Sequence, residues 1–93
     1  MPRYITMHTL ACLTRQGAEE LAARLLVPAS EGQATGEVKT RRVMVNMIEG
    51  KMLVEFDAAE REALEKWLQT GGFHFDWLLR IEFESEGGRM VAV

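Results

Sequence analysis

At 93 residues the chain has the length of one domain and is too short to hold two ordinary cores. Its 47% hydrophobic and 27% charged content excludes a disordered chain, and its net charge of −3, with no basic block beyond Arg41-Arg42, argues against nucleic-acid binding. The single cysteine, Cys12, excludes an intramolecular disulfide and a thiolate zinc site within one chain, and no apolar run approaches the roughly 20 residues that span a bilayer.

Residues 3–10 alternate, Tyr4, Thr6 and His8 against Ile5, Met7 and Thr9, which is the period of a first strand. Thr14 then has the chemistry of an N-cap. Ala18, Leu21, Ala22, Leu25 and Leu26 recur at helical spacing, so a helix is expected over 15–26, with Glu19 and Glu20 read as its acidic first turn and Pro28 as its stop. Ala29 to Glu37 lacks periodicity and reads as a surface loop. The pair Gly32 and Gly36 within it has neither the lysine nor the following helix of a phosphate loop.

Period two returns from Val38 to Met47 and again from Met52 to Phe56, so these two runs predict a hairpin turning at Glu49-Gly50. Asp57 is placed as an N-cap with Glu60 as its capping-box partner, and Leu64, Trp67 and Leu68 form the stripe of a second helix over 58–70. Gly71-Gly72 ends that helix. Residues 76–84 alternate as a fourth strand, and Arg89 to Val93 is a short additional strand after the turn Ser85-Glu86-Gly87-Gly88.

The order strand, helix, strand, strand, helix, strand is that of a ferredoxin-like α+β sandwich, an antiparallel sheet with two helices on one face, and residues 1–93 form a single domain of this kind. A core so small gains from pairing with a second copy, so a homodimer or higher oligomer is expected. Met1-Pro2-Arg3-Tyr4 leads into the first strand without an apolar signal core, which points to the cytoplasm and to no membrane partner.

With the apolar strand faces assigned to the helices, Ile5, Met7, Val43, Val45, Met47, Met52, Val54, Phe56, Trp77, Leu79, Ile81 and Phe83 are expected in the core. Tyr4, Thr6, His8, Arg42, Met44, Asn46, Leu53, Glu55, Leu78, Arg80 and Glu82 then share the open face. From that mixed surface come the candidate ligand-binding residues His8, Tyr4, Asn46, Glu55 and Arg80. His8 has the chemistry of a metal ligand or a general base, and a loop folding toward the end of the first strand brings His74 and Asp76 to it as further metal-site candidates. Cys12 reads as small buried filler and the six methionines mainly as core packing.

Three segments carry a family resemblance: Met1-Pro2-Arg3-Tyr4 leading to Met7-His8, Gly50-Lys51-Met52-Leu53-Val54-Glu55-Phe56, and Gly72-Phe73-His74-Phe75-Asp76-Trp77-Leu78. Together they resemble a family of small bacterial proteins of unknown function, nickel-binding in some members, within the ferredoxin-like dimeric α+β-barrel superfamily. The resemblance implies a divalent metal such as nickel, with His8 at the strand-end histidine and Asp76 at the loop aspartate. His74 stands where the family pattern has proline.

Three functions are compatible with these residues. One is a homodimeric binding protein that holds a metal ion or small organic ligand in a cavity on the open sheet face. Another is a cofactor-free isomerase or monooxygenase, with His8 as base and Arg80 or Asn46 holding an anionic intermediate. The last is a protein-interaction module that docks a partner through its sheet.

Overall fold

The computed structural model describes residues 2–30 and 38–93. In chain order the elements are β1 (Arg3–Thr9), α1 (Arg15–Ser30), β2 (Val38–Asn46), β3 (Lys51–Ala58), α2 (Arg61–Thr70), β4 (Trp77–Ile81), β5 (Phe83–Glu86) and β6 (Arg89–Ala92). The first four strands of the sheet stand in the order β2-β3-β1-β4, all antiparallel, and β5 with β6 forms a separate two-stranded sheet. This small α+β arrangement is consistent with a ferredoxin-like fold. It departs from a plain βαββαβ order because the expected last strand breaks at Glu82 and continues as a hairpin.

Local chemistry explains most of the boundaries. Thr14 caps α1, its Oγ1 accepting from the Gly17 N–H at 3.0 Å. Glu19 and Glu20 fall beyond the first turn, so they do not serve its dipole, and Glu19 instead pairs with Arg15 at 3.5 Å. The helix runs on to Ser30, past Pro28. Proline removes one N–H and crowds the carbonyl four residues back, and confined to the last turn these costs do not end the helix. Of the expected loop from Ala29 to Glu37, residues 31–37, with Gly32 and Gly36, lie outside the described residues.

The β2–β3 turn ends at Gly50, in the left-handed region at φ +67°, with its carbonyl accepting from the Leu10 N–H at 2.8 Å. Asp57 does not cap α2. It belongs to β3 and its carboxylate is taken by Arg41 at 2.9 Å, while Glu60 occupies the N-cap position without a side-chain bond. At the other end, the Gly72 N–H bonds the Gln69 carbonyl at 3.1 Å and the Phe73 N–H bonds the Leu68 carbonyl at 2.9 Å, a Schellman ending with Gly72 at φ +77°.

The core lies between the sheet and both helices, where Leu25 of α1 and Leu64 and Leu68 of α2 meet Tyr4, Val38, Met52, Val54, Phe56, Ala58 and Leu78. Two strands therefore present the face opposite to the expected one. On β1 the buried residues are Tyr4, Thr6 and His8, and on β4 the buried residue is Leu78, so Ile5, Met7, Trp77, Leu79 and Ile81 point to the open side. The register explains why: Tyr4 pairs with Phe56, Thr6 with Val54 and His8 with Met52, and paired residues must share a face. Met47 and Phe83 are exposed as well, and of the methionines Met52 alone is fully buried among the described residues.

Candidate functional site

Each face of the sheet holds one polar constellation. On the helix side, His8 is 2% exposed and both of its ring nitrogens are engaged. Nδ1 lies 2.6 Å from the His74 carbonyl, and because a carbonyl only accepts, Nδ1 carries the proton. Nε2 lies 2.7 Å from Thr6 Oγ1, whose hydroxyl donates to the neutral ring. Burial pushes the His8 pKa below its ordinary value, against the opposing pulls of the His74 carbonyl and the Asp76 charge.

These bonds tie the Gly71–Asp76 loop to the end of β1, where the sequence places it. The Asp76 N–H donates to the Met7 carbonyl at 2.7 Å, and Thr9 Oγ1 donates to the Asp76 carboxylate. Phe73 anchors the loop from below: it is buried, stacks on Trp67 at 6.4 Å between centroids, and carries the Arg24 guanidinium 4.8 Å above its ring. Arg24 also donates to the Gly71 carbonyl at 3.1 Å.

The same bonds decide whether His8, His74 and Asp76 fit a metal. Of His74 only the backbone carbonyl reaches His8, and its side chain is exposed. Asp76 is exposed and bonded to Thr9, and His8 has no free ring nitrogen. Among the described residues no group of three His, Cys, Asp or Glu side chains is placed to hold an ion. The trio does not fit a metal centre within one chain.

On the open side, Glu55 is 5% exposed at the centre of an ionic cluster. Arg42 Nε donates to its Oε1 at 2.8 Å, and Arg41 Nε and Arg3 Nε lie 3.3 and 3.1 Å from its Oε2, the Arg3 contact without hydrogen-bonding alignment. Two consecutive residues of β2 reach one carboxylate because a β-bulge at Arg41 lets both point the same way. Asp57 completes the pairing of Arg41, and the hydrogen bond and charge between them raise the Arg41 pKa above its ordinary value. Glu84 of β5 takes the other end of Arg3 at 2.6 Å. Three cations thus meet three carboxylates, so the cluster is charge-balanced.

Around the cluster, Ile5 stands beside Leu79 and Met7 beside Leu53 and Trp77, with Met44 across from Leu53 and Ile81 across from Arg3. The open face therefore carries a contiguous apolar patch beside the charged cluster, with Trp77 42% and Leu79 55% exposed.

The five expected ligand-binding residues are not brought together. Tyr4 and His8 are in the helix-side core, Arg80 lies opposite Tyr4 and so on that same side, and Asn46 bonds Glu49 in the β2–β3 turn. Glu55 stands at the centre of the open face, and Asn46 shares that side only at the far end of β2, paired with Lys51. His8 as a general base would need a ring nitrogen open to a substrate, and the interior position does not provide one. The sequence reading missed Arg3 and Arg41, and the bulge that recruits Arg41 has no signature in the alternation of β2.

Cys12 is exposed, with φ +54°, where buried filler was expected. It lines an open cleft of about 350 Å³ with Leu10, Leu13, Gly17, Leu21 and Arg24, the last being the side chain that also packs on Phe73.

No family model and no curated protein matches this sequence. Among solved structures, the chain superposes on the crystal structure of SCO4226 from Streptomyces coelicolor A3(2) with a TM-score of 0.75 and 11% sequence identity, over 89% of this chain and 99% of that one. At that identity the likeness is one of fold.

Proposed function

We propose that this chain is a binding domain that works through the open face of its sheet, with two copies facing each other across it and a small organic ligand held between them. The observation that carries the reading is the composition of that face. Ile5, Met7, Met44, Leu53, Trp77, Leu79 and Ile81 form an apolar floor, and the Arg3, Arg41, Arg42 and Glu55 cluster borders it with oriented charge. Apolar walls with a few placed polar groups are the usual lining of a small-molecule site. A contiguous apolar surface rimmed by charge is also the usual mark of an association surface.

The family resemblance adds nickel as the ion to test. In this reading any bound ion takes its ligands from both copies or from the ligand itself, since the trio of one chain does not fit.

Native mass spectrometry of untagged protein purified without chelator, then with added nickel, tests the proposal. A dimer retaining a small molecule supports it, as does a dimer that Leu79→Glu dissociates without loss of helical signal. A monomer at tens of micromolar, with or without nickel, overturns it. A dimer that Leu79→Glu leaves intact moves the interface elsewhere and overturns the use of this face.

A further inference from the structure

The C-terminal hairpin has no evident reason to exist in an isolated chain. Its turn is well formed, with Gly87 at φ +59° and Gly88 at +84°, the left-handed pair that a two-residue hairpin turn requires. Yet all eight strand residues are exposed, and a lone two-stranded hairpin is at best marginally stable in water. Its ties to the body include the Arg3–Glu84 ion pair, while the Val93 N–H bonded to the Glu82 carbonyl at 3.1 Å only extends the hairpin's own ladder.

The hairpin is two-sided. Phe83 pairs with Ala92 and Ser85 with Met90 on one side, while Glu84 pairs with Val91 and Glu86 with Arg89 on the other. Glu84 is turned toward Arg3 on its own sheet, so the Phe83 and Met90 side is turned away from its own chain, with Phe83 55% and Met90 71% exposed.

The geometry points to an arm: the β5–β6 hairpin of one copy lies across the open sheet face of a second copy, and that copy returns the same contact. This deepens the face-to-face reading above and rests on it. The occupant is a second copy because one chain carries both halves of the contact, an apolar arm and an apolar floor. A two-fold pair covers both at once, each arm on the other's floor. The areas agree. The exposed parts of Trp77 and Leu79 on the floor and of Phe83 and Met90 on the arm amount to a little over two whole large side chains, on the order of 450 Å² of apolar surface per copy. That is within the roughly 300–600 Å² of a monomer's largest patch, and the partly exposed Ile5, Met7 and Ile81 with a polar rim extend it toward the roughly 800 Å² per partner of a stable interface.

The test compares Met90→Glu, on the arm, with Leu79→Glu, on the floor, by sedimentation and by hydrogen exchange of the 83–93 segment. If the arm is exchanged, Met90→Glu raises the dimer dissociation constant at least tenfold with an unchanged far-UV spectrum. The arm amides of the wild-type protein then become protected as its concentration rises through that constant. A Met90→Glu dimer as tight as wild type, with arm amides exchanging as freely in the dimer as in the Leu79→Glu monomer, overturns the arm and leaves the face-to-face reading standing. A wild-type protein that is monomeric throughout overturns both.

Discussion

Replacing His8 by alanine tests whether this histidine is a structural latch, and its cost follows from what the ring touches. Removing a side chain that is 2% exposed leaves a cavity the size of an imidazole and strips partners from Thr6 Oγ1 and the His74 carbonyl. The cavity is worth roughly 2 kcal/mol, at the low end for large-to-small changes because the ring is polar. The two lost hydrogen bonds add about 1 kcal/mol, since the His74 carbonyl lies in an exposed loop where water replaces the ring. A total of about 3 kcal/mol is a large share of the roughly 5–14 kcal/mol expected for a domain of this size, and corresponds to a fall in Tm of roughly 15 °C.

The protonation state gives the latch a second signature. The folded protein lowers the His8 pKa, so the unfolded chain binds this proton more readily. The stabilisation by His8 is complete above the unfolded pKa of about 6.5 and declines as pH falls below that toward the folded pKa, by at most about 1.4 kcal/mol per pH unit for one proton. The gap in stability between wild type and His8→Ala therefore narrows between pH 8 and pH 5. Urea titrations at several pH values measure it. A gap that stays constant or widens on acidification refutes a buried neutral ring, and a loss below 1 kcal/mol at pH 8 refutes the latch. His74→Ala, which keeps the carbonyl, is the control and changes stability by less than about 0.5 kcal/mol.

Three further outcomes follow from the same structure. Glu55→Ala leaves three guanidiniums facing one another and lowers the unfolding free energy by about 2 kcal/mol in urea titration, less than for a fully buried pair because Arg42 reaches solvent. In Gly50→Ala the new Cβ would sit 2.6 Å from the Leu10 carbonyl oxygen in a left-handed conformation, so thermal melting shows a loss of at least about 2 kcal/mol, whereas Gly72→Ala, which meets no atom within 4 Å, loses only about 1 kcal/mol. Thr40→Val removes the bond from its buried hydroxyl to the Leu25 carbonyl at 3.0 Å, and calorimetry shows a loss of about 1 kcal/mol as α1 loosens from β2.

How far the sequence could be read depends on the range of each signal. The Thr14 cap, the Gly71-Gly72 stop, the turn at Gly50 and the Gly87-Gly88 turn are all local, set by backbone chemistry within a few residues, and all are where the sequence places them. What failed is non-local. Alternation along β1 separates Tyr4, Thr6 and His8 from Ile5 and Met7 but does not say which set meets the helices, because that is fixed by pairing with β3 some fifty residues away. Hydropathy alone chose Ile5 and Met7 for the core, and hydropathy is silent about the hydrogen bonds that make His8 and Thr6 acceptable there. The candidate site was lost with the face, since His8 and Glu55 were grouped on one surface and stand on opposite ones.

That reversal itself bears on function. A chain selected to be stable alone has reason to put its most apolar strand residues under the helices. This one puts Thr6 and His8 there, each requiring a hydrogen bond to offset its desolvation, and leaves Ile5, Met7, Trp77, Leu79 and Ile81 on the outer face. Burial of apolar area stabilises by about 25 cal/mol per Å², so an outer face with hundreds of square ångströms of such surface forgoes several kcal/mol in the isolated chain. Covering that face in an assembly recovers this energy. The polar groups under the helices then specify one register, because a one-residue slip of β1 would carry Thr6 and His8 together to the outer face and strip His8 of the His74 carbonyl. On this reasoning the two faces differ in kind: the buried Thr6–His8–His74 bonds hold the loop against β1, and the outer face keeps the apolar surface that the proposed pairing would cover.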